Sequence, residues 1–204
     1  MAADSLPTLR RLRAARPDPV ERCELCSEPV GPQHRHLFEP STRALVCACQ
    51  GCALLFEDRT GRYRAVPPEV VYLPEFRLAD EQWDELLVPV NLAFIVVSST
   101  ARRPLALYPS PAGATESQLG LETWDDLVGA NSVLAGLEPD VQALLVNRVG
   151  TQRDHYIAPI DDCFALVGLV RAHWRGLSGG TEVWGAIAAF FVELRGRARV
   201  LADA

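Results

Sequence analysis

Five of the six cysteines in this chain fall between residues 23 and 52. Within that window, Cys23-Glu-Leu-Cys26 and Cys49-Gln-Gly-Cys52 form two C-x2-C pairs separated by 22 residues. Two intervening residues suit a tight turn that puts both thiolates on one tetrahedral ion, with backbone N–H groups pointing at sulfur. Two such turns joined by a hairpin supply four ligands. The spacing predicts that hairpin, with strands over residues 34–38 and 44–47 and a turn over 39–43. The separation is slightly longer than the usual zinc spacing of about 15–20 residues. Gly51 offers the second turn backbone freedom. Cys23, Cys26, Cys49 and Cys52 are therefore the expected ligands of a closed, structural Zn2+ site.

Cys47 is the surplus thiol. It precedes Cys49 by two residues, so on an extended strand both share one face and either could reach the ion. His36, and less readily His34, could also replace a thiolate. The same four thiolates could instead hold a single iron of the rubredoxin type, or an iron–sulfur cluster. Phe38, Phe56 and Tyr63 could shield such a cluster, although ordinary packing explains those rings equally well.

The rest of the composition narrows the function classes. With 204 residues, 49% hydrophobic and 23% charged, the chain is long enough for roughly one domain plus a small module. It is too apolar to be disordered. A net charge of −6 argues against a nucleic-acid partner. All 20 basic residues are arginine, which removes Schiff-base, P-loop and general-base lysines together. Arg10-Arg11 has no apolar stretch behind it, so a secretory signal is not expected. The apolar run 92–97 is far short of the ~20 residues of a membrane span. A cytoplasmic, reducing location follows as the expectation, where clustered cysteines serve as metal ligands rather than disulfides.

Charge and punctuation divide the chain. Residues 1–20 read as a flexible Arg-rich tail, 21–66 as a zinc-ribbon-like metal module, and 67–204 as an α+β domain beginning after Pro67-Pro68. Residues 1–64 hold 10 arginines against 8 acidic groups, a net +2; residues 65–204 hold 10 against 18, a net −8. In the second part, Asp80 is a candidate cap for a helix over 81–87. The β-branched run 92–98 reads as a buried strand, and 104–108 as a second one. Residues 109–117 read as a loop, Thr123 as the cap of another helix, and 141–146 as a strand. Two helices close the chain. The first is capped by Asp161 or Asp162 and stopped at Gly176; the second is capped by Thr181, with Arg195, Arg197 and Arg199 at the negative end of its dipole. The element order is α+β, too irregular for a doubly wound sheet.

Other candidates have plain structural readings. Cys163 follows two aspartates that oppose thiolate formation, so a buried apolar role is expected. His155 and His173 are isolated. The Ser178-Gly-Gly-Thr181 segment could cradle an anion, but suits a helix–helix turn better. Ser110 to Ser117, with Glu116, could line a pocket. Trp124, Trp174 and Trp184 read as core or interface anchors. No nucleophile–base signature is recoverable, so the balance is against an enzyme.

The chain resembles an uncharacterised actinobacterial family of cysteine-cluster proteins. The resemblance rests on Cys-Glu-Leu-Cys26, His-Arg-His-Leu37 and Cys-Ala-Cys-Gln-Gly-Cys-Ala-Leu-Leu-Phe56. It continues in Tyr-Pro-Ser-Pro-Ala-Gly-Ala-Thr-Glu-Ser117, Leu-Val-Asn-Arg148, Pro-Ile-Asp-Asp-Cys163 and Trp-Arg-Gly-Leu-Ser-Gly-Gly180, over about residues 20–198. Members of that family are encoded beside NiFe-hydrogenase subunits and maturation proteins. The resemblance implies a role in the assembly or service of a hydrogenase, with a protein partner among its subunits or maturation factors; the family has no established activity to carry over.

Overall fold

The computed structural model describes residues 20–56, 61–176 and 178–201. It is an α+β structure. The Arg-rich stretch lies outside the described residues, apart from Val20.

The cysteine-rich region opens the order of elements. Strands β1 (Arg35–Glu39) and β2 (Ala44–Ala48) form an antiparallel hairpin, followed by helix α1 (Gln50–Phe56) and strand β3 (Arg64–Ala65). The sheet order is β2-β1-β3. The hairpin agrees with the sequence reading to within a residue at each end. Its register is Arg35↔Ala48, His36↔Cys47, Leu37↔Val46.

Strand alternation gives β1 two partners. Leu37 faces a small apolar cluster with Ala48, Ala53 and Tyr63. Phe38 points the other way and joins the main core beside Val96, Leu105 and Ile160. His36 is on the Phe38 side, where its ring meets Asp161.

A seven-stranded sheet carries the remainder. Its strands are β4 (Val71–Tyr72), β5 (Leu92–Ser98), β6 (Arg103–Ser110), β7 (Gly113–Glu116), β8 (Gln142–Asn147), β9 (Asp154–Pro159) and β10 (Arg199–Val200). Their order is β10-β4-β9-β8-β5-β6-β7, antiparallel except for β10 on β4. Helices α2 (Asp80–Glu85) and α3 (Leu121–Ala130) and a 3-10 turn (Ser132–Gly136) cover one face. Helices α4 (Ile160–His173) and α5 (Gly180–Arg197) cover the other.

Both faces are dry, which explains the continuous apolar run of β5. Leu92, Phe94 and Val96 pack toward α4 and α5, while Ala93 and Ile95 pack toward α2 and α3. Leu144 and Leu145 of β8 divide in the same way.

Several boundaries differ from the sequence reading. Residues 109–116 are not a loop: β6 runs through Ser110 and, after a turn at Pro111 and Ala112, returns as β7, which begins at Gly113 (φ 122°). The four expected side-chain caps are also not caps. Ala79, Gly120, Pro159 and Gly179 occupy those positions, with no side-chain cap hydrogen bond. Asp80 pairs with Arg148 instead, Thr123 Oγ1 donates to Glu85 Oε2 (2.8 Å), and Thr181 lies inside α5. Asp161 and Asp162 lie in the first turn of α4, where negative charge still complements the helix dipole. That helix ends at His173, before Gly176. Of the three arginines assigned to the end of α5, Arg199 is in β10.

Candidate metal centre

The first cysteine pair is held by a self-closed turn. Cys23 N–H donates to Glu28 O (2.8 Å), Ser27 N–H to Cys23 O (2.8 Å), and Val30 N–H to Glu21 O (2.9 Å). Ser27 adopts φ 66°, the left-handed residue that lets the chain double back. The second pair is built on the start of α1. Ala53 N–H donates to Cys49 O (2.9 Å) and Cys52 N–H to Cys49 Sγ (3.4 Å), an amide pointing at sulfur. The freedom expected of Gly51 is not used for a left-handed turn, since its φ is not positive. Glu24 ties the two halves together: its N–H donates to Cys47 O (2.9 Å), and its Oε2 accepts from Cys47 N–H (2.7 Å).

The result brings Cys23, Cys26, Cys49 and Cys52 together, with ligand atoms within 4.8 Å of one another. Cys26 Sγ and Cys49 Sγ are 3.7 Å apart. Four sulfurs about 2.3 Å from one tetrahedral ion are separated by roughly 3.8 Å, so the spacing fits an ion of that size. All six cysteines are free.

The electrostatics point the same way. Burial opposes ionisation of Cys23, yet the amides of Cys49, Leu25 and Cys26 outweigh it and lower that thiol to about 6. Cys52 is pushed up to about 12 by burial and then by the neighbouring thiols Cys26, Cys49 and Cys23. Four thiolates in this space repel one another without a cation between them. The group could therefore hold a metal ion.

The two residues named as substitutes do not join this group. Cys47 and His36 form a second cluster with His34, whose ligand atoms also lie within 4.8 Å of one another.

The remaining candidates divide clearly. Cys163 is fully buried in the main core, its thiol pushed well up by burial and by Asp162 and Asp161. His155 is buried and stacked on Phe76 (ring centroids 4.7 Å apart); His173 pairs with Glu182 at 2.8 Å. Ser178 and Gly179 form the turn that leads into α5, with Gly179 and Gly180 at φ 84° and 75°. Trp124 is a core residue, and Trp174 packs on Trp184 (6.1 Å).

A groove of about 640 Å3 escaped the sequence reading altogether. Tyr72, Asp154, Tyr156, Trp184, Phe191 and Arg195 are among its lining residues. They come from β4, β9 and α5, and no linear signal joins them. The Arg195 guanidinium lies over the Tyr72 ring. Burial, and then Asp154, push the Tyr156 hydroxyl up to about 12.

Comparison with known proteins places the chain among relatives. The profile of a family of unknown function, DUF5947, matches residues 22–198. The chain belongs to that family. The match takes in both cysteine pairs, the seven-stranded sheet as far as β9, and helices α1–α5. No curated protein and no solved structure matches the chain. Among the described residues, no helix is long and apolar enough to cross a membrane.

Proposed function

We propose that this chain is a non-catalytic accessory protein of the cytoplasm, in which Cys23, Cys26, Cys49 and Cys52 hold a structural Zn2+ and the acidic α+β part meets a protein partner. The convergence of the four thiols, with Cys26 and Cys49 Sγ 3.7 Å apart, carries this reading. Four thiolates complete a tetrahedral shell, which leaves no place for a reacting water and makes the ion a staple. It would fix the two cysteine turns and the hairpin, whose own apolar cluster contains four buried residues among the described ones. On the family resemblance, the partner is a subunit or maturation factor of a NiFe hydrogenase.

Exposed Cys26 supports a second reading, since it would give an iron centre an edge for electron exchange. Iron in the same cage would serve hydrogenase redox chemistry.

Anaerobic purification followed by metal analysis and a visible spectrum separates the two. A colourless protein with zinc supports the staple; reversible bleaching on reduction overturns it. The partner is tested by affinity purification of the tagged chain from its native host. Recovery of hydrogenase subunits supports the assignment, and their absence under conditions of hydrogenase expression refutes it.

A further inference from the structure

We infer that His34, His36 and Cys47 form a second metal site, separate from the four-cysteine centre. It takes a zinc-class divalent ion through two imidazole Nε2 atoms and one thiolate. The topology assembles it from the hairpin. His34, just before β1, and His36, within it, are two residues apart, so on extended chain both rings fall on one face. Cys47 is the direct cross-strand partner of His36. The two rings are 4.7 Å apart and edge-to-face, and one ring nitrogen of each histidine and the Cys47 Sγ lie within 4.8 Å of one another.

Both rings are already oriented as ligands. Nδ1 of His34 is 2.9 Å from Gly31 O, and Nδ1 of His36 is 2.8 Å from Asp161 Oδ2. A proton on each Nδ1 satisfies those acceptors and leaves each Nε2 with a lone pair. Backbone carbonyls and carboxylates orient metal-bound histidines in this way. The His34 side chain is only 8% exposed, and its Nε2 is buried with no hydrogen-bond partner. A buried acceptor without a donor is costly, and a cation removes that cost. The surroundings are anionic: Glu21 Oε2 is 3.6 Å from His34 Nδ1, Glu24 Oε2 accepts from Cys47 N–H, and Asp161 backs His36.

Imidazole nitrogens and a thiolate suit zinc-class ions better than calcium or magnesium. Three protein donors leave a fourth position for an exchangeable ligand, unlike the closed four-thiolate shell. The second ion is therefore the more readily exchanged of the two.

The test is Zn2+ titration of the full-length, reduced, metal-stripped chain, with bound zinc counted after gel filtration. Two ions per wild-type chain are expected, the second removed first by a competing chelator. Cys47→Ala and His34→Gln should each bind one. Asp161→Asn should weaken the second ion by about 10–100-fold and leave the first unchanged. Saturation of the wild type at one ion, or two equally tight ions in all three variants, overturns the inference. Should a variant fail to fold, alkylation of Cys47 in the wild type decides. Protection that appears only with the second zinc equivalent supports the site; protection with the first, or none, refutes it. Loss of the four-cysteine ion alone is read separately, as the stoichiometry of Cys26→Ser.

Discussion

Replacing Gly179 by alanine perturbs the turn between α4 and α5 at its tightest point. Gly179 adopts φ 84° and ψ −23°. A Cβ there would sit 2.9 Å from Val183 Cγ1 and 3.1 and 3.2 Å from two carbons of the Trp174 ring. Neither neighbour yields easily. Val183 is fully buried, and Trp174 is held by packing on Trp184 and by its Nε1–H donating to Gly176 O at 2.9 Å. Forcing a side chain into the left-handed region costs about 1–2 kcal/mol. Overpacking a dense site adds about 1–3 kcal/mol, so the expected total is about 2–5 kcal/mol. Gly150 supplies the control, with φ 61° and nothing within 4 Å of an added Cβ. Gly150→Ala should therefore cost only the backbone part, about 1–2 kcal/mol. Urea denaturation followed by far-ultraviolet circular dichroism measures both. Equal losses in the two variants would refute the packing argument, and a loss below about 1 kcal/mol for Gly179→Ala would refute the turn itself.

Three further outcomes are expected. Burial, and then the charges of Arg148 and Arg153, lower His155 from the usual 6.5 to about 4. Between those values the unfolded chain binds the proton and the fold does not. Stability should therefore fall by roughly 3 kcal/mol as pH drops from 6.5 to 4. Against wild type, His155→Leu should flatten the denaturation profile over that window; an unchanged slope would exclude the mechanism. Asn131 is fully buried, accepts from Arg77 N–H (2.7 Å), and donates to Arg77 O and Leu127 O (both 2.9 Å). Asn131→Ala strands those backbone groups and should cost about 2–4 kcal/mol in urea denaturation; a loss under about 0.5 kcal/mol would contradict the bonding. Chelation of the four-cysteine ion should raise amide exchange in the cysteine turns and hairpin while β5 and β8 stay protected. Uniform loss of protection would show that the ion supports the whole fold.

The cysteine region was legible because the spacing encodes both the grouping of its four thiols and the hairpin between them. Strand β5 was legible for a different reason: burial of both faces turns it into an unbroken apolar run. β9 was missed because Asp154-His-Tyr-Ile-Ala-Pro159 is short and begins with polar residues, although five of its six residues are buried. The cap of α4 was misassigned because β9 runs directly into that helix. Pro159 is the last extended residue and holds the cap position of α4, and the aspartates follow it by two and three positions. His34, His36 and Cys47 were visible as chemistry, but only the pairing His36↔Cys47 separates them from the four-cysteine group. The Arg195 groove depends on three distant elements and left no local pattern.

Zinc content after exhaustive dialysis against a weak chelator, wild type beside Cys26→Ser and Cys49→Ser, tests the four-thiolate centre most directly. The wild type should keep one tightly held zinc, and both variants should lose it. Equal zinc in all three chains, or iron in its place, would contradict the structural-zinc account.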